Sequence, residues 1–125
     1  MIKKIVLGGG CFWGLQELMR KQEGVVRTVV GYSGGAESVG IVYGTEKTSY
    51  KKLLDFFFQI HNPTLLNQQG NDRGSSYRSV IFYNDDKEKD EALDFINIVN
   101  KSKRWKDPVV TTLEPFVKFT KAEEY

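Results

Sequence analysis

Segments of helical periodicity are interleaved with β-rich alternating runs along this chain, and their order constrains the fold more than any other feature. Ile2 to Leu7 is a short apolar run closed by Gly8-Gly9-Gly10. Phe12, Leu15, Leu18 and Met19 then follow helical spacing, and Gly24 ends the segment. Val25 to Tyr32 alternates, with Val26, Thr28 and Val30 on one face and Val25, Arg27 and Val29 on the other. After the turn Ser33-Gly34-Gly35, alternation resumes at Val39, Ile41 and Tyr43. Ser49 suits the N-cap of a helix whose apolar face is Tyr50, Leu53, Leu54 and Phe57, with Pro63 as its stop. His61 to Ser76 is a long polar loop, and Arg78 to Tyr83 reads as a strand. Asp85 or Asp86 caps a helix with Ala92, Phe95, Ile96 and Val99 inward. Val109 to Phe119 is extended, and Pro115 marks an edge or a bulge. The order β-α-β-β-α-β, then a helix and a late extended segment, predicts an α+β fold. It is the split βαβ pattern of a ferredoxin-like plait, with a mixed or antiparallel sheet and helices on one face.

The chain's 125 residues read as one domain, 1–125, able to bury about two thirds of its unfolded surface. Eighteen Lys and Arg against 16 Asp and Glu leave a net charge of +2. That balance argues against nucleic acid or an acidic membrane as partner. Lys101, Lys103, Arg104 and Lys106 form the basic cluster and read as a solvated helix end. No apolar run approaches the roughly 20 residues of a membrane span. Met1 to Leu7 lacks the length of a signal peptide, so the expectation is a cytoplasmic chain, as a monomer.

Cys11 is the only cysteine, so an internal disulfide is excluded. A lone cysteine is either small core filler or a reactive thiol. Here it sits in Gly8-Gly9-Gly10-Cys11-Phe12-Trp13-Gly14, between a strand and a helix. The glycines leave room for a ligand, and unpaired N–H groups at a helix start favour the thiolate, which is the nucleophile. Of the bulky Phe12 and Trp13, one is expected in the core and the other beside the sulfur. A phosphate-binding loop is a weaker reading, because neither glycine-loop motif is present. On local context alone, filler and nucleophile both stand.

The polar loop holds Asp72 and leads into Tyr77, a phenolic donor. It reads as a functional loop or as a structured Ω-type loop in which Asp72 caps a turn. His61 is the only histidine. With Cys11 and Asp72 it could form a cysteine hydrolase, but its place at a helix end favours a structural role on backbone carbonyls. One cysteine and one histidine do not make the usual metal ligand sets, so no metal and no cofactor are expected.

Five motifs stand in order: Gly10-Cys11-Phe12-Trp13-Gly14, Gly31-Tyr32-Ser33-Gly34-Gly35, His61-Asn62-Pro63-Thr64, Asn67-Gln68-Gln69-Gly70-Asn71-Asp72-Arg73-Gly74 and Tyr77-Arg78-Ser79. Together with Ala122-Glu123-Glu124-Tyr125 they resemble the A-type peptide methionine sulfoxide reductases, from about Ile5 to the end. The resemblance implies that Cys11 attacks the sulfoxide sulfur and that Phe12 and Trp13 cradle the methyl group. It implies that Glu37 delivers a proton to the oxygen, which needs a neutral carboxyl. Tyr77 would hydrogen-bond that oxygen, and Asp72 would order the polar side of the pocket. The products would be methionine, from the S epimer only, and a sulfenic acid on Cys11.

Three departures follow from the same comparison. The segment between Gly35 and Glu37 is much shorter than in the family, and the family's further active-site tyrosine has no counterpart in it. Neither Tyr32 nor Tyr43 can be carried over from sequence. Asn62 stands where the family usually has aspartate. The tail that often supplies a recycling cysteine does not follow Tyr125, so an external thiol (thioredoxin, glutaredoxin or glutathione) would resolve the sulfenic acid. The expected function is peptide-methionine (S)-S-oxide reduction. The alternative is a module that binds methionine sulfoxide with little or no turnover.

Overall fold

The Ile2–Leu7 run becomes an interior strand of a six-stranded sheet in the computed structural model, which describes residues 1–122. The motif expected at the end, beyond Ala122, lies outside the described residues. In chain order the elements are β1 (Ile2–Gly8), α1 (Phe12–Met19), β2 (Val25–Ser33), β3 (Ala36–Gly44) and α2 (Tyr50–Ile60). Then come β4 (Gln68–Gln69), β5 (Asp72–Arg73), β6 (Val80–Tyr83), α3 (Asp86–Lys101), β7 (Thr112–Pro115) and β8 (Thr120–Lys121). The large sheet runs β7-β6-β1-β3-β2-β8, and β4 and β5 form a small hairpin of their own. Every pairing in the large sheet is antiparallel except β6 with β7, so the sheet is mixed. Together with the three helices among the described residues, this is the expected α+β class.

The two faces of the sheet are covered differently. Ile5, Leu7, Val39, Ile41 and Tyr43 point to the side that carries all three helices, where Leu15, Met19, Leu53, Leu54, Phe57, Phe58, Ala92 and Val99 close the core. Val6, Ala36, Val80 and Phe82 point the other way, against Phe116 and Phe119 of the late segment. The helix starts follow the sequence: Ser49 Oγ accepts from Lys52 N at 3.2 Å, and Asp85 Oδ1 accepts from Glu88 N at 2.8 Å. The basic cluster is exposed at the end of α3 and just beyond it, as expected. No helix is long and apolar enough to cross a membrane.

Four local expectations change. The alternation of Val25–Tyr32 is broken by a bulge between Val25 and Arg27. The extra residue reverses parity, so Val25 and Val30 share the helix-side core and Val26 is left exposed. Helix α2 ends at Ile60, before Pro63, because His61 is already extended (φ −143°, ψ 164°). The polar loop is not free of regular structure: it carries the β4–β5 hairpin and a single 3-10 turn at Ser75–Tyr77. In the late segment only Thr112–Pro115 and Thr120–Lys121 are strands, both at the sheet edges, where Pro115 costs no interior ladder bond.

The connection from β2 to β3 sets the geometry of the site. Ser33 pairs with Ala36, leaving Gly34-Gly35 as a turn of two residues, with φ of +54° and +77°. Positive φ at both centres is what a type I′ hairpin turn requires, and glycine supplies it without strain. Arg78 fastens this turn. Its Nη2 donates to Gly34 O at 2.7 Å and to Glu114 Oε1 at 2.9 Å, while Nε donates to Glu114 Oε2 at 3.0 Å. Burial pushes the Glu114 carboxyl up, but the hydrogen bonds from Arg78 and Thr112 and the guanidinium charge outweigh it and hold the group below its ordinary value.

Candidate active site

Cys11 occupies the N-cap position of α1, with its side chain making no cap bond. The glycines before it are needed for close packing. Gly10 has φ +84°, and a Cβ added there would fall 2.8 Å from Gln69 Cβ. Its N–H donates to Tyr77 O at 3.2 Å. A Cβ on Gly9 would lie 3.1 Å from the His61 ring and 3.2 Å from Phe57. The glycine strip is thus pressed beneath the polar loop, which brings Tyr77 to the cysteine.

The two aromatics divide as expected. Phe12 is 6% exposed and joins the core, whereas Trp13 is 52% exposed, and their rings meet edge to face at 5.2 Å. Both line a cavity of about 550 Å³ together with Cys11, Tyr32, Glu37, Thr120, Lys121 and Ala122. Glu37 reaches this cavity from β3, half-buried, and its Oε1 accepts from Phe12 N at 3.1 Å. That N–H is one of the donors a helix start leaves unpaired, so the helix holds the carboxyl beside the cysteine. Cys11 also borders a second cavity of about 240 Å³, walled in part by Leu15, Leu18, Ile60 and His61.

Tyr77 is partly buried and is not a wall of the larger cavity. Its phenol is nonetheless raised above its ordinary value, first by the charge of Glu37, then by burial, Asp72, Cys11 and Tyr32. Asp72 lies exposed on the β4–β5 hairpin, outside the walls of the larger cavity, and its charge is one of those that raise the Tyr77 phenol. The Asn62 departure is locally innocuous: Oδ1 accepts from Thr64 N at 2.9 Å and Thr64 Oγ1 at 2.6 Å, which needs only an acceptor.

His61 is structural. Nδ1 donates to Phe57 O at 2.6 Å, leaving Nε2 to accept from Ser79 Oγ at 2.7 Å, and Ser79 in turn lies 2.7 Å from Thr111 Oγ1. Both ring nitrogens are therefore engaged away from Cys11, which removes the basis for a Cys11–His61 hydrolase. Burial pulls the imidazole down from 6.5 to about 4, only partly opposed by the Phe57 carbonyl. Unfolded chains take up this proton below 6.5, and the folded one refuses it until about 4. Stability is expected to fall by about 3 kcal/mol as pH drops through that window. Denaturant unfolding at a series of pH values checks this, with His61→Gln expected to flatten the slope; an equal slope in the variant would assign the effect to other groups.

Among the described residues, no group of three or more His, Cys, Asp or Glu is placed to hold a metal ion. Sequence reasoning missed Thr120 and Lys121 as cavity walls, since only the pairing of β8 with β2 brings them there. It also left Tyr32 unassigned. The signal for Tyr32 lay in the Gly34-Gly35 turn, which fixes its register against Glu37. Tyr43 is 1% exposed in the core, with burial pushing its phenol up to about 12, and takes no part in the site.

Comparison with known proteins agrees with this geometry. The family model for peptide methionine sulfoxide reductase matches residues 3–37 and 34–125 in two pieces. The break falls at the Gly34-Gly35 turn, where the resemblance placed the shortening. The peptide methionine sulfoxide reductase MsrA 2 of Rhodopirellula baltica is 51% identical over 136 aligned positions, covering 98% of this chain and 81% of the relative. The reduced form of Mxr1 from Saccharomyces cerevisiae superposes with a TM-score of 0.92 at 32% identity, covering 99% of this chain and 81% of that one. Mxr1 in complex with Trx2 superposes with a TM-score of 0.81 at 30% identity, covering 98% and 81%. A cysteine at a helix start, a carboxyl held beside it and aromatic walls thus lie on a chain matched nearly end to end, and the chain belongs to the peptide methionine sulfoxide reductase family.

Proposed function

We propose that this chain reduces methionine (S)-sulfoxide in oxidised proteins, with Cys11 as nucleophile. The observation that carries the reading is the shared cavity, where Cys11 lies between the apolar Phe12 and Trp13 and the carboxyl of Glu37. The Cys11 thiolate attacks the sulfoxide sulfur while Glu37 gives a proton to the oxygen, which is a poor leaving group until protonated. Tyr77 donates a hydrogen bond to that oxygen, and Asp72 orders the polar side. Phe12 and Trp13 take the methyl group. With an apolar wall for the methyl and a polar corner for the oxygen, only one hand of the chiral sulfur fits.

The attack joins Cys11 Sγ to the substrate sulfur as the sulfur–oxygen bond breaks with loss of hydroxide. Water or hydroxide then adds to Cys11 Sγ and displaces methionine, so two electrons have passed from Cys11 to the substrate and a Cys11 sulfenic acid remains. An outside thiolate then attacks Cys11 Sγ and releases water, and a second thiol frees Cys11 and leaves as the disulfide. Thioredoxin is the reductant best supported, through the Mxr1 structure with Trx2. Glutaredoxin and glutathione satisfy the same chemistry. A reducing compartment, the cytoplasm, suits the cycle. We also read the β6-β1-β3-β2 part of the sheet as a ferredoxin-like plait, an assignment its strand order supports.

Separate S and R methionine sulfoxide peptides, each with excess dithiothreitol, test the reading. Methionine is expected from the S form alone. No methionine from either peptide, with the protein folded, would leave a binding module in its place.

A further inference from the structure

The resemblance leaves the chain without the family's further active-site tyrosine, yet the cavity contains a phenol. Tyr32 stands directly opposite Glu37 in the β2–β3 hairpin. Directly opposed residues share a face of the sheet with Cβ atoms about 4.5–5.5 Å apart. That face is the helix side, because Val39 and Ile41 follow Glu37 at even spacing and lie in the helix-side core. The Tyr32 ring packs at 5.4 Å from Phe12 and lines the same cavity as Cys11 and Glu37. It is 44% exposed and lines the cavity, so an incoming substrate can meet the Tyr32 side chain. Tyr43 and Tyr50, by contrast, are buried in the core.

We infer that Tyr32 is a catalytic residue of this chain, its hydroxyl donating a hydrogen bond to the sulfoxide oxygen beside Glu37 and Tyr77, in a register the Gly34-Gly35 turn fixes. The turn is the cause. Two residues at positive φ force Ser33 onto Ala36, and that register forces Tyr32 onto Glu37. The shortened connection leaves out one phenol, while Tyr32, part of the Gly31–Gly35 motif shared with the family, is held opposite Glu37 at the wall of the same cavity. A donor aimed at the oxygen stabilises the charge that builds there as the sulfur–oxygen bond breaks. Its effect belongs to the bond-breaking step and not to binding of the ground state.

This inference rests on the sulfoxide reductase reading, and a single-turnover experiment separates the two. Protein without reductant is mixed with the S-sulfoxide peptide, and methionine is followed over time. A burst of methionine from the unaltered protein holds the reductase reading, and its absence sinks that reading before Tyr32 is tested. Tyr32→Phe keeps the ring that packs on Phe12, so the fold is expected to persist, as checked by circular dichroism and melting. Its burst rate at saturating peptide is expected to fall about 10- to 10²-fold, with the half-saturating peptide concentration little changed. A burst rate equal to that of the unaltered protein would overturn the inference. So would a change confined to the half-saturating concentration, which is what a wall that only binds would give.

Discussion

Cys11→Ser is expected to lose methionine sulfoxide reduction by about 10⁴-fold or more, the scale on which enzymes lose turnover when their nucleophile is removed. A serine hydroxyl stays protonated at neutral pH and is a far weaker nucleophile than a thiolate toward a sulfoxide sulfur. It also cannot be oxidised to a sulfenic acid, so even a successful attack leads nowhere. The substitution should spare the fold. Cys11 sits at the N-cap of α1 without capping it, and serine is among the residues best suited to that position. Melting temperature is therefore expected to stay level or rise while activity vanishes. Methionine release measured by chromatography, beside a thermal melt of the same sample, reads both quantities. Full activity in the variant would remove Cys11 from the mechanism.

Glu37→Gln is the second large effect, expected to lower kcat by about 10²–10⁴-fold at neutral pH, the usual worth of a positioned general acid. The isosteric amide can still accept from Phe12 N through its oxygen, so the tie to the start of α1 is kept. Only the transferable proton is lost. KM should move little, because the amide still presents a polar group to the same corner. Steady-state rates with the S-sulfoxide peptide and dithiothreitol at saturation decide the matter. An unchanged kcat would place the proton donor elsewhere in the cavity.

What the sequence disclosed depended on whether a cause was local. The caps at Ser49 and Asp85, and the split of Phe12 and Trp13 between core and cavity, follow from side chains a few residues apart. The glycine setting of Cys11 is contiguous and could be read directly, while the choice of nucleophile over filler is what the resemblance implies. Glu37 was reached through the resemblance alone, whereas Tyr77 could be read as a phenolic donor beside the polar loop and took its proposed role from the resemblance. The bulge at Val25–Arg27 escaped because one extra residue leaves the composition of a strand unchanged while reversing which side it buries. Lys121 and Thr120 escaped for a different reason. They meet the cavity through a pairing of β8 with β2 across most of the chain, and no local pattern encodes a partner at that distance. His61 lay between these cases. Its place at a helix end pointed to the Phe57 carbonyl, but the Ser79–Thr111 chain behind it is tertiary.

The Arg78 clamp has a consequence for access. A connection of two residues, held from outside by a guanidinium that is itself fixed to Glu114, has neither the length nor the slack to fold over the cavity. On this side the pocket has a kerb in place of a flap. At this edge, substrate segments and a bulky protein reductant meet the same standing opening, and the β2–β3 connection has no movement over it to make or reverse. Water shares that doorway, so this edge of the site can exclude it only by being filled by the substrate itself.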